Sequence, residues 1–108
     1  NQKNSIQRII EYIDHHYKED LSRSTLADMV YLSADHLARI FKKETGETLV
    51  KYITDKRINA SKELLSGTKT PIAQVASEVG YDNYSYFTKI FKEKIGVSPG
   101  DYRKQHTD

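Results

Sequence analysis

Ala34-Asp35-His36-Leu37-Ala38-Arg39-Ile40-Phe41-Lys42-Lys43-Glu44-Thr45-Gly46 and Tyr84-Ser85-Tyr86-Phe87-Thr88-Lys89-Ile90-Phe91-Lys92-Glu93-Lys94-Ile95-Gly96 are two versions of one pattern. Slid by 50 residues, Leu37 lies on Phe87, Arg39 on Lys89, Ile40-Phe41-Lys42 on Ile90-Phe91-Lys92 and Gly46 on Gly96. The match continues with Thr48 on Ser98 and Tyr52 on Tyr102. Upstream the offset falls to 49, with Ala27 on Ala76 and Val30 on Val79, so the second copy has one extra residue in its turn. Paired helices of similar length arise in many helical bundles. Agreement of the Phe-Lys pair, the glycine and the tyrosine at a single offset is much harder to reach without a true repeat.

Around these stretches the apolar spacing is helical throughout. Ile6, Ile9, Ile10, Ile13 and Tyr17 form one stripe of an amphipathic helix. Ser22 is placed to cap a helix over Arg23–Val30, with Leu26, Ala27 and Val30 inward. Ser33 caps the first repeat helix, with Leu37, Ile40 and Phe41 inward, and Gly46 ends it. Thr48 opens a long helix on which Leu49, Tyr52, Ile53, Ala60 and Leu64 are expected to share a face, ending near Ser66-Gly67. Thr70-Pro71 predicts a cap followed by proline at the first helical position, then Ile72, Val75, Ala76 and Val79 inward, up to Gly80. Asp82 or Asn83 caps the second repeat helix, which turns Phe87, Ile90, Phe91 and Ile95 inward. Ser98-Pro99 starts a last short helix through Tyr102, and the tail after Arg103 is expected to fray. The expected fold is all-α, with seven helices and no strands. One domain over 1–108 comprises a first helix-turn-helix subdomain (5–47), a linker helix (48–66) and a second helix-turn-helix subdomain (70–103).

A helix-turn-helix sets its second helix in the DNA major groove, with its N-terminal residues at the base edges. Such a helix needs an apolar stripe inward and hydrogen-bonding side chains outward. The outward stripe is Asp35, Ala38, Arg39 and Lys42 in the first copy, and Ser85, Thr88, Lys89 and Lys92 in the second. Arg39 and Lys89 are of the types that hydrogen-bond guanine, while Lys42 and Lys92 lie further along, where a phosphate is expected. The capping residues Ser33 and Asn83 leave helix N-termini whose free N–H groups suit phosphate.

Composition limits the alternatives. The chain has 108 residues, about one domain and room for one core. It has no cysteine, hence no disulfide, Cys-ligated zinc or thiol nucleophile. No apolar run is long enough to span a bilayer and no signal peptide opens it, so a cytoplasmic, membrane-free protein is expected. The net charge is +2, with 17 basic and 15 acidic residues. Residues 1–33 hold four basic against five acidic, so the excess belongs to the repeat and linker helices. Few phosphate contacts imply a shallow salt dependence and weak binding by the isolated domain. None of His15, His16, His36 and His106 pairs at a ligand spacing. No catalytic constellation, metal site or cofactor site is visible, and no enzymatic activity is expected.

Gly80-Tyr81-Asp82-Asn83-Tyr84-Ser85-Tyr86-Phe87, then Phe91-Lys92, Gly96-Val97-Ser98-Pro99 and Tyr102-Arg103, resembles the signature of AraC/XylS-type DNA-binding domains. Leu37 to Gly46 resembles the first recognition helix of that family, and Arg57, Ala60 and Leu64-Leu65 its linker helix. The resemblance runs from about Ile6 to Arg103. It implies a homeodomain-like pair of helix-turn-helix subdomains in a sequence-specific bacterial transcription regulator. The two recognition helices would enter adjacent major-groove segments, one turn being about 34–36 Å.

By the same resemblance, base-edge contacts fall on Asp35, Ala38 and Arg39, and on Tyr84, Ser85, Tyr86, Thr88 and Lys89, while Lys56 of the linker helix reaches DNA. Ala38 can offer only apolar contact, for instance to a thymine methyl. Asp35 can accept from cytosine N4 or act as a cap or first-turn dipole partner. Lys89 should hold its base less stringently than an arginine. Tyr84 and Tyr86 each either touch DNA or pack against the turn, and Arg57 is expected to be structural, its stem packed and its head paired.

The implied partners are double-stranded DNA and RNA polymerase, with an N-terminal sensor or receiver elsewhere in a longer chain. The alternative is a helical protein-interaction module that keeps the fold without specific DNA binding. The cationic outward stripes argue against it. DNA-repair methyl acceptors have similar domains, but a chain without cysteine cannot perform that transfer.

Overall fold

The structure, a computed structural model, describes residues 1–107. Among these residues there are seven α-helices and no strand: α1 (Gln2–His16), α2 (Arg23–Met29), α3 (Ala34–Thr45), α4 (Leu49–Gly67), α5 (Ile72–Glu78), α6 (Tyr84–Ile95) and α7 (Pro99–His106). The all-α expectation holds. The chain divides into two compact units, Asn1–Lys56 and Arg57–Asp108, with the boundary inside α4.

Each unit has its own core, which corrects the expectation of a single one. In the first, Ile6, Ile9 and Ile13 of α1 pack with Leu26, Ala27, Leu37, Ile40, Phe41 and Leu49. In the second, Ile58 and Leu65 of α4 pack with Val75, Ala76, Val79, Tyr81, Phe87 and Phe91. The reason lies in α4. Its apolar face is not continuous, because Thr54, Asp55 and Lys56 separate Leu49, Tyr52 and Ile53 from Ile58, Leu64 and Leu65. The buried positions of its second half are Ile58, Ser61 and Leu65, whereas Ala60 and Leu64 are only partly covered. Ser61 tolerates full burial because its hydroxyl donates to the Ile58 carbonyl at 2.7 Å.

The repeat is reproduced in backbone detail. α2 and α5 have 7 residues each, and α3 and α6 have 12. Ser33 Oγ accepts the His36 N–H at 3.1 Å, and Asn83 Oδ1 accepts the Tyr86 N–H at 2.9 Å. Gly46 and Gly96 end α3 and α6 with φ of 82° and 95°, and each donates its N–H to a lysine carbonyl at 2.8 Å. In the preceding turns Leu32 N–H meets the Ala27 carbonyl at 3.0 Å, and Tyr81 N–H meets that of Ala76 at 2.9 Å. Gly80 takes a φ of 109° there, and the corresponding residue of the first unit is Tyr31, at 60°.

Two helix ends differ from expectation. Thr70 does not cap α5. The helix starts one residue later, with Pro71 as N-cap, making no side-chain cap bond. Thr68 Oγ1 instead accepts the Thr70 N–H at 3.2 Å and donates to Thr70 Oγ1 at 3.0 Å, which holds Thr70 in the preceding turn. The tail after Arg103 does not fray at once, since α7 runs to His106. His106 stacks on Tyr102 at 3.9 Å, and its Nδ1 lies 2.8 Å from the Tyr102 carbonyl.

Candidate nucleic-acid interface

α3 buries Leu37, Ile40 and Phe41, and that burial fixes what the rest of the helix shows. Residues at i and i+4 share a face. Asp35, Arg39 and Lys42 are therefore exposed together, with Ala38 half-buried among them. A groove of about 480 Å³ lies beside this stripe, lined by the cations Arg23, Arg39, Lys42 and Lys43 and by the apolar side chains of Ala38, Leu49 and Val50. Among the described residues lining it none is acidic. Arg23, at the start of α2, had no motif to mark it.

α6 buries Phe87 and Phe91 and exposes Ser85, Lys89 and Lys92. Thr88 is half-buried and its hydroxyl donates to the Tyr84 carbonyl at 3.0 Å, leaving lone pairs free to accept. Tyr84 and Tyr86 keep 48% and 52% of their surface exposed, so both present aromatic rings to solvent at the start of the helix. The Tyr86 ring also leans on Tyr81 of the turn, with centroids 6.0 Å apart. Packing and exposure thus coexist in that residue. The Arg57 guanidinium sits 5.4 Å over the buried Tyr81 ring, in agreement with a structural role.

Ser33 and Asn83 are occupied as caps by their own helices, so their oxygens are turned inward. The first two N–H groups of α3 and α6 remain the positive ends available to an anion.

Lys56 is only half exposed. Its Nζ lies 3.1 Å from Asp14 Oδ1 of α1, which also accepts the Tyr52 hydroxyl at 2.7 Å. Burial, then this hydrogen bond, pushes the Tyr52 phenol well above its ordinary range. Closer to the start of α4, Lys51 bridges Glu47 at 3.0 Å and Asp55 at 2.8 Å, and the hydrogen bond to Asp55, then that to Glu47, raises its pKa.

Arg103 is another residue whose part the sequence did not reveal. Its Nε donates to the Leu65 carbonyl at 3.0 Å and its Nη2 to the Thr70 carbonyl at 2.6 Å, fastening α7 to both ends of the α4–α5 connection. Among the described residues no group of three His, Asp or Glu is placed to hold a metal, and no helix is long and apolar enough to cross a membrane.

Residues 26–105 match the helix-turn-helix domain family. The chain is 40% identical over 99 residues to the bifunctional transcriptional activator/DNA repair enzyme AdaA of Bacillus subtilis (strain 168), covering 92% of this chain and 47% of that protein. It is 35% identical over 101 residues to the arabinose operon regulatory protein of Escherichia coli (strain K12), covering 93% of this chain and 35% of that one. The fold matches the C-terminal domain of AraT, a response regulator from Geobacillus stearothermophilus, with a TM-score of 0.93 and 34% identity, over 96% of this chain and 87% of that one. The chain spans less than half the length of the two curated relatives.

Proposed function

The chain belongs to the AraC-type family of helix-turn-helix transcription regulators and is a DNA-binding domain of that kind, and on that premise we propose that each unit offers one recognition helix, α3 or α6, to a DNA major groove. The observation that supports this best is the shared register of the two helices. Both are 12 residues long and capped alike, and each has a cation pair, Arg39 and Lys42 or Lys89 and Lys92, on its solvent side.

In this reading Arg39 hydrogen-bonds guanine through its fork, and the neighbouring Ala38 meets a thymine methyl. Asp35 accepts from cytosine N4 or complements the helix dipole. Ser85, Thr88 and Lys89 read the second segment with Tyr84 and Tyr86, while Lys42, Lys92 and Lys56 contact phosphates. The helix N-termini behind Ser33 and Asn83 face phosphates as well.

The span of the relatives and the response-regulator neighbour support a place in a longer regulator with an N-terminal sensor or receiver; RNA polymerase is the protein partner this reading assigns it. We assign the chain no enzymatic step. Although AdaA is named as a repair enzyme, these 108 residues contain no cysteine to accept an alkyl group.

The deciding experiment is a titration of Arg39→Ala against an in-vitro selected duplex and a scrambled one. Specific binding should weaken by about 1–3 kcal/mol, with discrimination relaxed at one base pair. Equal loss on both duplexes would remove the base-contact role. Failure of the wild type to enrich any sequence at low salt would favour a protein-docking use of these faces instead.

A further inference from the structure

Asp14, Tyr52 and Lys56 form a polar cluster between α1 and α4. Asp14, on α1, receives the Tyr52 hydroxyl and the Lys56 ammonium on the same oxygen, at 2.7 and 3.1 Å. Lys56 Nζ also lies 5.7 Å from the centroid of the Tyr52 ring. The acid and the lysine keep 35% and 39% of their side-chain surface exposed, so the pair is wet and exchangeable.

The second unit provides an internal control. On the 50-residue offset Phe41, Tyr52 and Lys56 correspond to Phe91, Tyr102 and His106. The tyrosine meets its phenylalanine edge-on at 5.7 Å and 73° in the first unit, and at 5.6 Å and 76° in the second. His106 stacks on Tyr102 at 3.9 Å. The buried Ile6, Ile9 and Ile13 of α1 have the spacing of Ile58, Ser61 and Leu65 of α4, which sets Ser66 opposite Asp14 in the alignment. Ser66 is no anion, and its hydroxyl donates to the Lys62 carbonyl at 2.9 Å. The second tyrosine therefore takes the same seat with a serine in place of the carboxylate. What Asp14 adds to the first unit is an acceptor for the Tyr52 hydroxyl and an ionic partner for Lys56.

We propose that Asp14 is a built-in surrogate for a DNA phosphate: it holds Lys56 in the free domain, and Lys56 must leave it to reach the DNA backbone. Asp14 is thus a positioning residue that lowers affinity and salt dependence through Lys56. This rests on the reading of Lys56 as a phosphate contact. A half-exposed, solvent-screened ion pair is weak, so the exchange is cheap. It nevertheless removes one cation from the face DNA approaches, and a lysine–phosphate contact draws its strength from released counterions.

The test uses the 108-residue chain with a selected duplex and a scrambled one, titrated by fluorescence anisotropy over a series of KCl concentrations. Asp14→Asn keeps an oxygen for the Tyr52 hydroxyl, so it removes charge and little else. It should tighten both duplexes roughly three- to fivefold at low salt, the upper end of what an exposed pair is worth. It should also steepen the slope of log K against log salt by about 0.9, one phosphate's share. Lys56→Gln should weaken binding and abolish the effect of Asp14→Asn. Tyr52→Phe, which disturbs the seat but keeps the ion pair, should leave the slope unchanged. Unchanged or weaker binding by Asp14→Asn overturns the proposal. So does equal tightening in the Lys56→Gln background, which would make Asp14 a general repulsive charge. If Lys56→Gln alone leaves DNA binding intact, the phosphate role of Lys56 falls with it, while the Arg39 titration still stands on its own.

Discussion

The two units are the same device built twice, and three of their differences bear on how each helix is held and what it shows. At the turn between the paired helices the first has Tyr31 and the second Gly80. In the helix that follows each terminal glycine, α4 or α7, the first has Ile53 where the second has Arg103, which holds two carbonyls. On the outward stripe the first shows Asp35, Ala38 and Arg39, and the second Ser85, Thr88 and Lys89 beside two exposed tyrosines. Caps, terminal glycines and the Phe–Tyr contact are shared. The caps, terminal glycines and Phe–Tyr contact that seat each helix agree, while the turn, the anchoring residue of the following helix and most of the outward stripe diverge. If α3 and α6 read DNA as proposed, a single chain has two unlike reading heads, and its half-sites have no reason to be palindromic.

The comparison breaks most easily at the cores. Phe41 and Phe91 are fully buried, each in its own cluster, so each Phe→Ala should cost about 3–5 kcal/mol. The loss should stay within its unit. In amide hydrogen exchange, Phe41→Ala should speed α1 to α3 and spare α5 to α7, and Phe91→Ala should do the reverse. Uniform loss of protection in both variants would mean that the two cores fold as one.

The next largest effect should come from Arg103, which the first unit lacks. Arg103→Ala removes two charge-assisted bonds to part-buried carbonyls, about 1.5–3 kcal/mol in urea unfolding. Arg103→Lys should rescue little, since an ammonium cannot reach both carbonyls as a fork does. Full rescue by lysine would reduce the residue to a charge. Its counterpart Ile53→Ala loses packing only and should show no dependence on salt.

These cases also mark how far the sequence could be read. Ser33, Asn83 and Ser98 were legible as caps, and Gly46 and Gly96 as helix ends, because each signal lies within four residues of its effect. The outward stripe followed from the inward one by helical period. The Arg103 fork and the Asp14 cluster were not legible, since they join residues 33 to 42 positions apart. Thr70 failed as a cap for a related reason: a competing local turn with Thr68 outranked the cap-proline pattern. The division of α4 between two cores was hidden because a single helical stripe was extended through Thr54-Asp55-Lys56, where the buried face changes.

The smallest effect tests the turns. Tyr31 is 93% exposed at a φ of 60°, in a conformation that costs an L-residue about 1–2 kcal/mol. Gly80 holds the equivalent position at 109°. Tyr31→Gly loses almost no packing, relieves the strain, and gives back about 0.5–1 kcal/mol through the freer unfolded chain. The net should be a gain of about 0.5–1 kcal/mol, seen as a higher urea midpoint with the same m-value. Gly80→Ala should move the midpoint the other way. If Tyr31→Gly destabilises the protein, the tyrosine ring makes a stabilising contact in solution, and the two turns are not equivalent. If it stabilises the fold but weakens DNA binding, the strained aromatic belongs with the outward-facing residues that separate the two units.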